Sequence, residues 1–440
     1  MRILMMTNTY KPILGGVETS IESFQKALRK KGHEAVIVAP EYSGQPKKEK
    51  NVVRIPAIRN FNNTDFSVNL PVPPGFTKFV KRFAPDIIHS HHPFLIGDLA
   101  LRMSQSHRIP IVFTYHTNFE DYTHYLPFDN RISKKFITQL SVGYANLCDL
   151  VIAPSESVRE RLFGRGLRKP VNIVPTGVEC VRKRRYASAV IRKKYRFPPQ
   201  KRVLGYTGRL EPEKNTEFLS KAVARYLNSD RNACFVAVGG GSTKEDMERE
   251  FQKSGVCDRV CFTGPVSKKE AVKICGQFDV FVFASKSETQ GIVILEAQSL
   301  GIPVVALDGP GVRECIADFK NGRLIKSAGM KDFSEAIRWC LNLKPKQLRK
   351  IRQTAKETAG LFSLENTADR LIRTYESIRY PSGISGSSGV LPWEKVMKRA
   401  EVEWRMMTNL SKSTAKAITG ILETAPASSG PRNHRSERLS

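Results

Sequence analysis

The sequence has no uninterrupted apolar run of about 18 residues, the length that a membrane-spanning helix requires. Its first residues also lack the basic segment and the cleavable apolar core of a secretory signal. We therefore expect neither a transmembrane protein nor a secreted one, and the prediction is a cytoplasmic chain. At 440 residues it is long enough for two domains.

The sequence also lacks the cysteine pattern of a metal or disulfide framework. Its 8 cysteines are scattered, and the closest pair, Cys257 and Cys261, has no second Cys or His pair at zinc spacing. We therefore expect reduced thiols. The G-x-G-x-x-G fingerprint of dinucleotide-binding folds is missing as well, which disfavours a dehydrogenase.

Acidic residues are few: 42 Asp and Glu stand against 71 Lys and Arg, so the net charge is +29. The excess is greatest in residues 171–202, which carry ten basic groups and one acidic group. Such a distribution favours an anionic partner, either acidic lipid headgroups or nucleic acid. Aromatic and basic residues also alternate in two predicted helical stretches that could lie on anionic lipid: Phe76, Lys78, Phe79, Val80, Lys81, Arg82 and Phe83 in one, and Arg131, Lys134, Lys135 and Phe136 in the other.

Short apolar runs alternate with helical patterns twice along the chain. The first array has predicted strands at 3–6, 35–39, 87–89, 111–115 and 150–153, with helices such as 17–31 and 136–147 between them. The second has predicted strands at 203–206, 234–238, 260–262, 280–283 and 304–306, and residues 331–380 are predicted to be helical. This alternation predicts an α/β protein with two doubly wound parallel sheets, whose ligands bind between the carboxyl ends of the strands.

Two glutamates follow the predicted strand 280–283. Glu288 lies in the loop at its carboxyl end, Gly291 permits a tight turn, and Glu296 falls in an apolar helix. A carboxylate in such a helix requires a partner, and a ribose diol would supply two donors. A carboxylate near the start of a helix can instead interact with the helix dipole.

Cations and glycines follow other predicted strands. Arg209 and Lys214 could reach one point near a helix start, where phosphate oxygens bind, although both could also be solvated surface cations. Gly15 and Gly16 precede a helix and would let backbone amides approach a phosphate. Gly239, Gly240 and Gly241 close another strand.

Histidines cluster at two predicted strand ends. His116 ends strand 111–115, where it can hydrogen-bond a sugar hydroxyl, and His89, His91 and His92 end another strand. No acidic cluster accompanies these histidines, and the chain has no Asp-x-Asp motif. We therefore expect no protein-ligated metal. Mg²⁺ could still bind to the diphosphate of a bound ligand without ligands from the protein.

Taken together, these motifs resemble family 4 of the retaining glycosyltransferases with the GT-B fold, in which two Rossmann-like domains face a cleft. The resemblance covers about residues 1–380. It rests on the following segments and residues, in this order: Gly15-Gly16-Val17-Glu18, His89–Pro93, His116, Pro175-Thr176-Gly177-Val178, Arg209, Lys214, Phe262-Thr263-Gly264, Glu288 and Glu296.

The resemblance implies a role for each matching residue. Arg209 and Lys214 would neutralise the donor diphosphate, Gly16 would offer it an amide, and His116 would contact the 6-hydroxyl of the sugar. Glu288 would position the donor sugar and Glu296 would bind the ribose. The backbone around Gly264 and Val266 would contact the base, and the helix near 365–380 would cross back to the first domain.

The segment 114–125 is similar to that of diacylglycerol glucosyltransferases of this family. It implies transfer of glucose from UDP-glucose to the 3-hydroxyl of diacylglycerol, with retention, by an enzyme peripheral to the cytoplasmic face of a membrane. One departure is Thr289-Gln290, where the broader family more often has Gly-Phe. The alternatives are another acceptor (phosphatidylinositol, another sugar or a lipid-linked oligosaccharide), a nucleic-acid-binding protein that uses 182–202 as a basic arm, and a catalytically silent scaffold.

The predicted domains are a first Rossmann-like acceptor domain at 1–180, a basic connection at 181–202 and a second, nucleotide-sugar-binding domain at 203–362. A crossing tail helix at 363–380 and a final region at 381–440 follow. In that final region a flexible linker precedes an amphipathic helix, on which Trp393, Met397, Ala400, Trp404 and Met407 form an apolar stripe, and a polar tail. The stripe could pack on the protein itself, on a membrane surface or on a partner helix.

Overall fold

Two parallel sheets organise the computed structural model, which describes residues 1–13, 15–58, 68–69, 75–120, 131–180, 193–195, 202–379 and 392–422. The first sheet has the order β3-β2-β1-β6-β7-β8-β9. Its strands are β1 (Arg2–Met6), β2 (Glu34–Pro40), β3 (Val52–Ile55), β6 (Ile87–Ser90), β7 (Ile111–Thr114), β8 (Leu150–Ala153) and β9 (Val171–Ile173). A two-stranded antiparallel ribbon, β4 (Ala57–Ile58) and β5 (Val68–Asn69), lies outside it.

The second sheet repeats this topology in the order β12-β11-β10-β13-β14-β15. Its strands are β10 (Arg202–Thr207), β11 (Ala233–Val238), β12 (Val260–Phe262), β13 (Val280–Phe283), β14 (Val304–Leu307) and β15 (Gly322–Ile325). The central strands are buried along their length, because helices cover both faces of each sheet. The prediction of two doubly wound α/β domains is confirmed.

Thirteen α-helices lie in the described residues. The first domain contains α1 (Gly16–Lys30), α2 (Phe76–Phe83), α3 (Ile96–His107), α4 (Arg131–Leu147) and α5 (Glu156–Gly164). The second contains α6 (Thr216–Ser229), α7 (Lys244–Lys253), α8 (Lys268–Cys275), α9 (Ile292–Ser299), α10 (Met330–Leu341) and α11 (Pro345–Leu361). Two more follow, α12 (Leu364–Glu376) and α13 (Pro392–Leu422).

All ten strands predicted from the sequence are present within about a residue of their expected ends. Strands β3, β9 and β15 and the ribbon were not predicted. Each of these three sheet strands lies at an edge and has only three or four residues, so its sequence carries little pattern. The predicted domain boundaries stay predictions, and most of the basic connection at 181–202 lies outside the described residues.

Helix α12 lies against the first domain although it follows the second in the chain. Its Leu371 and Tyr375 belong to the core formed by β1, β2 and α1. The crossing begins at Val178, whose amide donates to the Phe362 carbonyl (2.9 Å) and whose carbonyl accepts from the Leu364 amide (3.0 Å). A β-carbon on Gly177 would lie 2.4 Å from the Leu364 Cα, so the close approach of the two segments requires glycine there.

Helix α2 does not offer an apolar face to a membrane, which corrects one expectation. Phe76 and Val80 are buried, and Phe79 and Phe83 pack against the same core. Only the basic side chains of this helix are exposed. The apolar residues of α2 therefore belong to the core of the first domain, because that face of the helix packs against the domain and is not available to a membrane.

Candidate active site

The order of both sheets reverses at one point, between β1 and β6 in the first and between β10 and β13 in the second. Loops from the carboxyl ends of these strands diverge there and leave a crevice, which is where open α/β sheets bind ligands. Most of the predicted site residues lie in these loops or at the starts of the helices that follow them.

A cation and a carboxylate meet in the second domain. Lys214 Nζ lies 2.7 Å from Glu288 Oε1, and both side chains are largely buried. The Ser287 hydroxyl donates to the Glu213 carbonyl (3.0 Å), which ties the loop after β13 to the loop after β10. Arg209 pairs with Glu213 at 2.6 Å. The structure therefore brings together the two cations and Glu288, which the sequence placed in one site.

Glycines let the loops after β10 and β11 touch. A β-carbon on Gly239 would lie 2.0 Å from the Gly208 carbonyl oxygen, and one on Gly241 would lie 2.2 Å from the Leu210 carbonyl oxygen. Gly240 lies against Pro265. The glycine run therefore holds the Arg209 loop next to the turn at Gly264, whose backbone is left-handed with φ of 71°.

Glu296 has a protein partner. Its carboxylate lies 3.2 Å from Lys268 Nζ at the start of α8. Gly264 and Val266 precede this helix and follow β12, so Glu296 and the turn that contains them approach the same end of the crevice. The carboxylate remains about a quarter exposed, which leaves it accessible to a ligand.

The start of α1 faces the second domain. A β-carbon on Gly16 would lie 4.0 Å from Ile292 Cδ1, at the first residue of α9. Glu18 is buried two residues further on, and burial raises the pKa of its carboxyl while the positive charge of Arg209 opposes that rise. Arg209 is therefore close to the start of α1, so the amide predicted at Gly16 and one of the two cations border the same crevice.

Four histidines form a cluster at the ends of β6 and β7, in which His89 and His91 are buried and His92 and His116 are half-buried. His91 Nδ1 lies 2.9 Å from His116 Nε2, and the rings of His89 and His91 are 4.0 Å apart. Burial lowers the pKa of His116 and His91 well below the usual range, that of His92 to about 4 and that of His89 to about 3. His116 is therefore a neutral imidazole near pH 7, suited to hydrogen-bonding and unsuited to carrying a positive charge.

Side chains of the second domain form hydrogen bonds with the backbone of the first domain. The Thr289 hydroxyl donates to the His116 carbonyl (2.9 Å). The Gln290 side chain accepts from the Thr176 amide (2.6 Å) and donates to the Thr176 carbonyl (2.8 Å). Residues 289–290 are the departure noted in the sequence, and the structure uses both for contacts between the domains.

Glu314 adds a contact that the sequence did not reveal. Its carboxylate accepts from the amides of Glu156 and Ser157 at 3.0 and 2.8 Å, where α5 begins. A carboxylate is favourable there because the first amides of a helix lack partners and carry partial positive charge. Glu314 lies in no motif and in no periodic pattern, so no sequence feature indicated that it caps a helix of the other domain.

A basic cavity of about 530 Å³ opens between α4 and the loops after β10 and β13. It is lined by residues of both domains, namely Glu120, Arg131, Lys134, Lys135, Thr138, Gln139, Glu213 and Ser287. Glu213 and Ser287 belong to the Lys214–Glu288 loops, so the cavity reaches the candidate site. The cations of α4 line this cavity and give it a positive wall.

Two further properties bear on function. In the described part of the chain no group of three His, Cys, Asp or Glu is arranged to hold a metal ion. None of the helices searched there is both long and apolar enough to cross a bilayer.

Two such domains with a shared crevice define the GT-B class of glycosyltransferase. The sequence pattern described as Glycosyltransferase Family 4 matches residues 14–182, and that described as Glycosyl transferases group 1 matches 188–358. The alpha-monoglucosyldiacylglycerol synthase of Streptococcus pneumoniae is 30% identical over 386 residues, covering 85% of each chain. This chain belongs to glycosyltransferase family 4.

Other similar proteins differ in the nucleotide sugar that their descriptions name. A GDP-mannose-dependent alpha-mannosyltransferase of Mycobacterium tuberculosis is 27% identical, over 74% of this chain and 83% of its own length. The crystal structure of Anabaena HepE in complex with UDP-glucose superposes with a TM-score of 0.67 at 19% identity, over 86% of this chain and all of HepE. The last likeness concerns the fold alone.

Proposed function

We propose that this glycosyltransferase moves glucose from UDP-glucose to the 3-hydroxyl of diacylglycerol, with retention of anomeric configuration, at the cytoplasmic surface of a membrane. The observation that carries this proposal is the basic interdomain cavity, which joins the Lys214–Glu288 pair to the exposed start of α4. The similarity to a diacylglycerol glucosyltransferase supports the choice of acceptor.

The proposed donor site follows the loops of the second domain. Lys214 and Arg209 bind the diphosphate, with the Gly16 amide on the opposite side. Glu296 accepts hydrogen bonds from the ribose diol and the turn at Gly264 and Val266 contacts the uracil. Glu288, at 2.7 Å from Lys214, binds sugar hydroxyls and holds that cation in place.

In the proposed reaction the bond between the anomeric carbon and the diphosphate oxygen breaks. The acceptor oxygen bonds to that carbon on the same face, and its proton passes to the departing phosphate oxygen. Lys214 and Arg209 stabilise the negative charge that develops on the leaving diphosphate, which is the preorganised electrostatic effect. Neutral His116 donates to or accepts from the sugar 6-hydroxyl without repelling the positive charge on the anomeric centre.

The test follows radiolabelled UDP-glucose into lipid in mixed vesicles of diacylglycerol with and without phosphatidylglycerol. We expect a glucolipid that requires the anionic lipid, decreases with added salt and is lost in Glu296→Ala. The control is Glu335→Ala, which removes an exposed carboxylate on α10, far from the site. If label enters lipid from GDP-mannose and not from UDP-glucose, the donor assignment is wrong. If label appears in a soluble sugar, the acceptor assignment is wrong.

Binding measurements separate the remaining alternatives. The proposal predicts that UDP binds and that duplex DNA does not compete with vesicles for a specific site. Submicromolar, steeply salt-dependent binding of duplex without UDP binding would favour the basic-arm alternative instead.

A further inference from the structure

Helix α13 lies beyond residue 358, where the second family pattern ends, yet it packs on the first domain. Val402, Ser413 and Ala417 are buried, and Met406 packs against the core of that domain. Arg102 binds Glu403 through two nitrogen–oxygen contacts of 2.5 and 2.9 Å. The helix is therefore attached to α3 and α4 along one face.

Two large apolar side chains on the opposite side of α13, Trp404 and Met407, are exposed, and a third, Leu410, is exposed at the border with the attached side. Trp404 is 70% exposed, Met407 64% and Leu410 49%. At 100° per residue, positions 404 and 407 point away from buried positions 402 and 413. Of the nine large apolar side chains well exposed among the described residues, three lie on this helix. Such a concentration marks an interaction surface, since exposed apolar residues are usually scattered.

This finding corrects one of the alternatives for the stripe. Ala400, Trp404 and Met407 of the predicted stripe are exposed, so this part of the stripe does not pack on the protein itself, and the side chains of Trp393 and Met397 lie outside the described residues. The residues that attach the helix to the first domain are a separate set on the other side, at 402, 406, 409, 413 and 417.

The surroundings of this face are positively charged. Helices α4 and α13 together contain nine basic and three acidic residues. Two of the acids are neutralised by neighbours, Glu401 by Arg405 and Glu403 by Arg102. Lys412 and Lys416 are exposed, and at 100° per residue Lys412 lies about 80° and Lys416 about 120° around the helix from Trp404. A flat apolar stripe with cations beside it matches the boundary of an anionic bilayer, where indole rings and lysines concentrate.

One end of α13 also reaches the proposed acceptor entrance. Lys416 Nζ is 3.3 Å from Gln139 Oε1, and Gln139 lines the basic cavity with Arg131 and Lys134. Helix α13 therefore extends the exposed surface of α4 away from the cavity mouth. A bilayer that touches both helices would present its lipids at that mouth.

We propose that the outward face of α13, centred on Trp404 and Met407 and bordered by Leu410, docks into the surface of an anionic lipid bilayer and holds the interdomain cavity against it. The proposal deepens the membrane part of the proposed function and rests on it. It also replaces α2 as the source of apolar membrane contact, because the apolar side chains of α2 are buried in the domain or packed against its core.

The experiment compares the full chain with Trp404→Ser/Met407→Ser. The matched control is Phe163→Ser/Leu361→Ser, which removes two exposed apolar side chains (47% and 62% exposed) from other surfaces. Binding to phosphatidylcholine vesicles with and without phosphatidylglycerol is measured by sedimentation. We expect the α13 variant to bind anionic vesicles at least about tenfold more weakly, given the apolar area withdrawn, while the control binds as wild type.

A second readout follows Trp404 itself. With Trp339 and Trp393 replaced by Phe, the remaining indole emission should shift to shorter wavelength on anionic vesicles and be quenched by brominated lipid. UDP affinity is measured for every variant. It should stay unchanged, because the substituted residues lie outside the donor site, and a retained UDP affinity also shows that the variants fold.

Three outcomes overturn the docking proposal. Wild-type vesicle binding by the α13 variant, or an unshifted Trp404 emission, would exclude membrane contact at this face. A dimer in light scattering that the α13 substitutions convert to a monomer, with vesicle binding intact, would assign the face to a second copy of the chain. Failure of the glucolipid assay with intact, Trp404-dependent vesicle docking would instead reject only the proposed reaction.

Discussion

The Gln290 side chain spans the domain boundary and pairs with both backbone groups of Thr176, accepting from the amide at 2.6 Å and donating to the carbonyl at 2.8 Å. Gln290 is buried, so its amide group has little access to water. The pair joins the loop that carries Glu288 to the segment where the chain leaves the first domain. The position of the donor site relative to the first domain therefore depends in part on this side chain.

Replacing Gln290 by Ala should weaken this contact. Two hydrogen bonds to buried backbone groups are lost and both groups are left without partners, at about 1–3 kcal/mol each. We expect kcat/KM for the glucosyl donor to fall by at least about tenfold, since 1.4 kcal/mol is a factor of ten, with a larger radius of gyration in solution scattering. Gln353→Ala, on the exposed side of α11, is the control. Unchanged kinetics and scattering would show that other contacts suffice.

Lys214→Met tests the proposed diphosphate site. Methionine keeps most of the length of the side chain and removes its charge. A hydrogen bond to a charged group contributes about 1.5–3 kcal/mol, so UDP should bind about 10- to 100-fold more weakly. Calorimetric titration with UDP measures this directly. Lys221→Met, at an exposed pair with Glu217 on α6, should leave UDP affinity unchanged, and equal losses in both variants would contradict the assignment.

Gly177→Ala tests the crossing point between the domains. Its new methyl group would lie 2.4 Å from the Leu364 Cα, so α12 or the loop must shift. Overpacking of this kind costs about 1–3 kcal/mol, and we expect a lower midpoint in urea denaturation. Gly164→Ala is the matched control, because nothing lies within 4 Å of its β-carbon. Equal stability of the two variants would mean that the crossing segment adjusts freely.

The histidine cluster predicts loss of stability in acid. Because burial lowers the pKa of His89 to about 3 and of His92 to about 4, the folded chain keeps these rings neutral where the unfolded chain protonates them. Stability is therefore complete above the unfolded pKa of about 6.5 and falls as the pH drops from there toward 4. The half-buried Asp98, whose pKa is raised to about 6 by desolvation, opposes this trend, since its folded form binds a proton first.

Urea denaturation at several values between pH 5 and 7.5 measures this dependence. In His92→Gln the free energy of unfolding should depend less steeply on pH than in wild type, whatever the absolute stability of the variant. A slope equal to that of wild type would show that His92 does not contribute.

Most of the fold could be predicted because the central strands are covered on both faces. Their sequences are continuous apolar runs, such as Phe281 to Phe283, bounded by glycines and cations at strand ends. The edge strand β9 has three residues of intermediate burial and therefore no such run. For the same reason the grouping of Arg209, Lys214 and Glu288 was predictable, since strand ends of one parallel sheet meet at a single edge.

The contacts of Gln290, Glu314 and α13 were not predictable from sequence pattern. Gln290 and Glu314 bind backbone groups more than 100 residues away, and backbone partners leave no trace in the side-chain sequence. The helical period of α13 showed an apolar stripe, but the same period fits a stripe facing inward or outward.

The sequence by itself determined the two βα arrays, the residues at their strand ends and the resemblance to one glycosyltransferase family, because these depend on local periodicity and short-range order. The tertiary structure alone decided that the apolar face of α2 is buried, that Trp404 points to solvent and that Gln290 joins the domains. Those outcomes depend on which surfaces pack against each other although long loops separate them in the sequence. Apolar side chains are buried only where two faces are complementary in shape, and local sequence pattern does not specify that pairing.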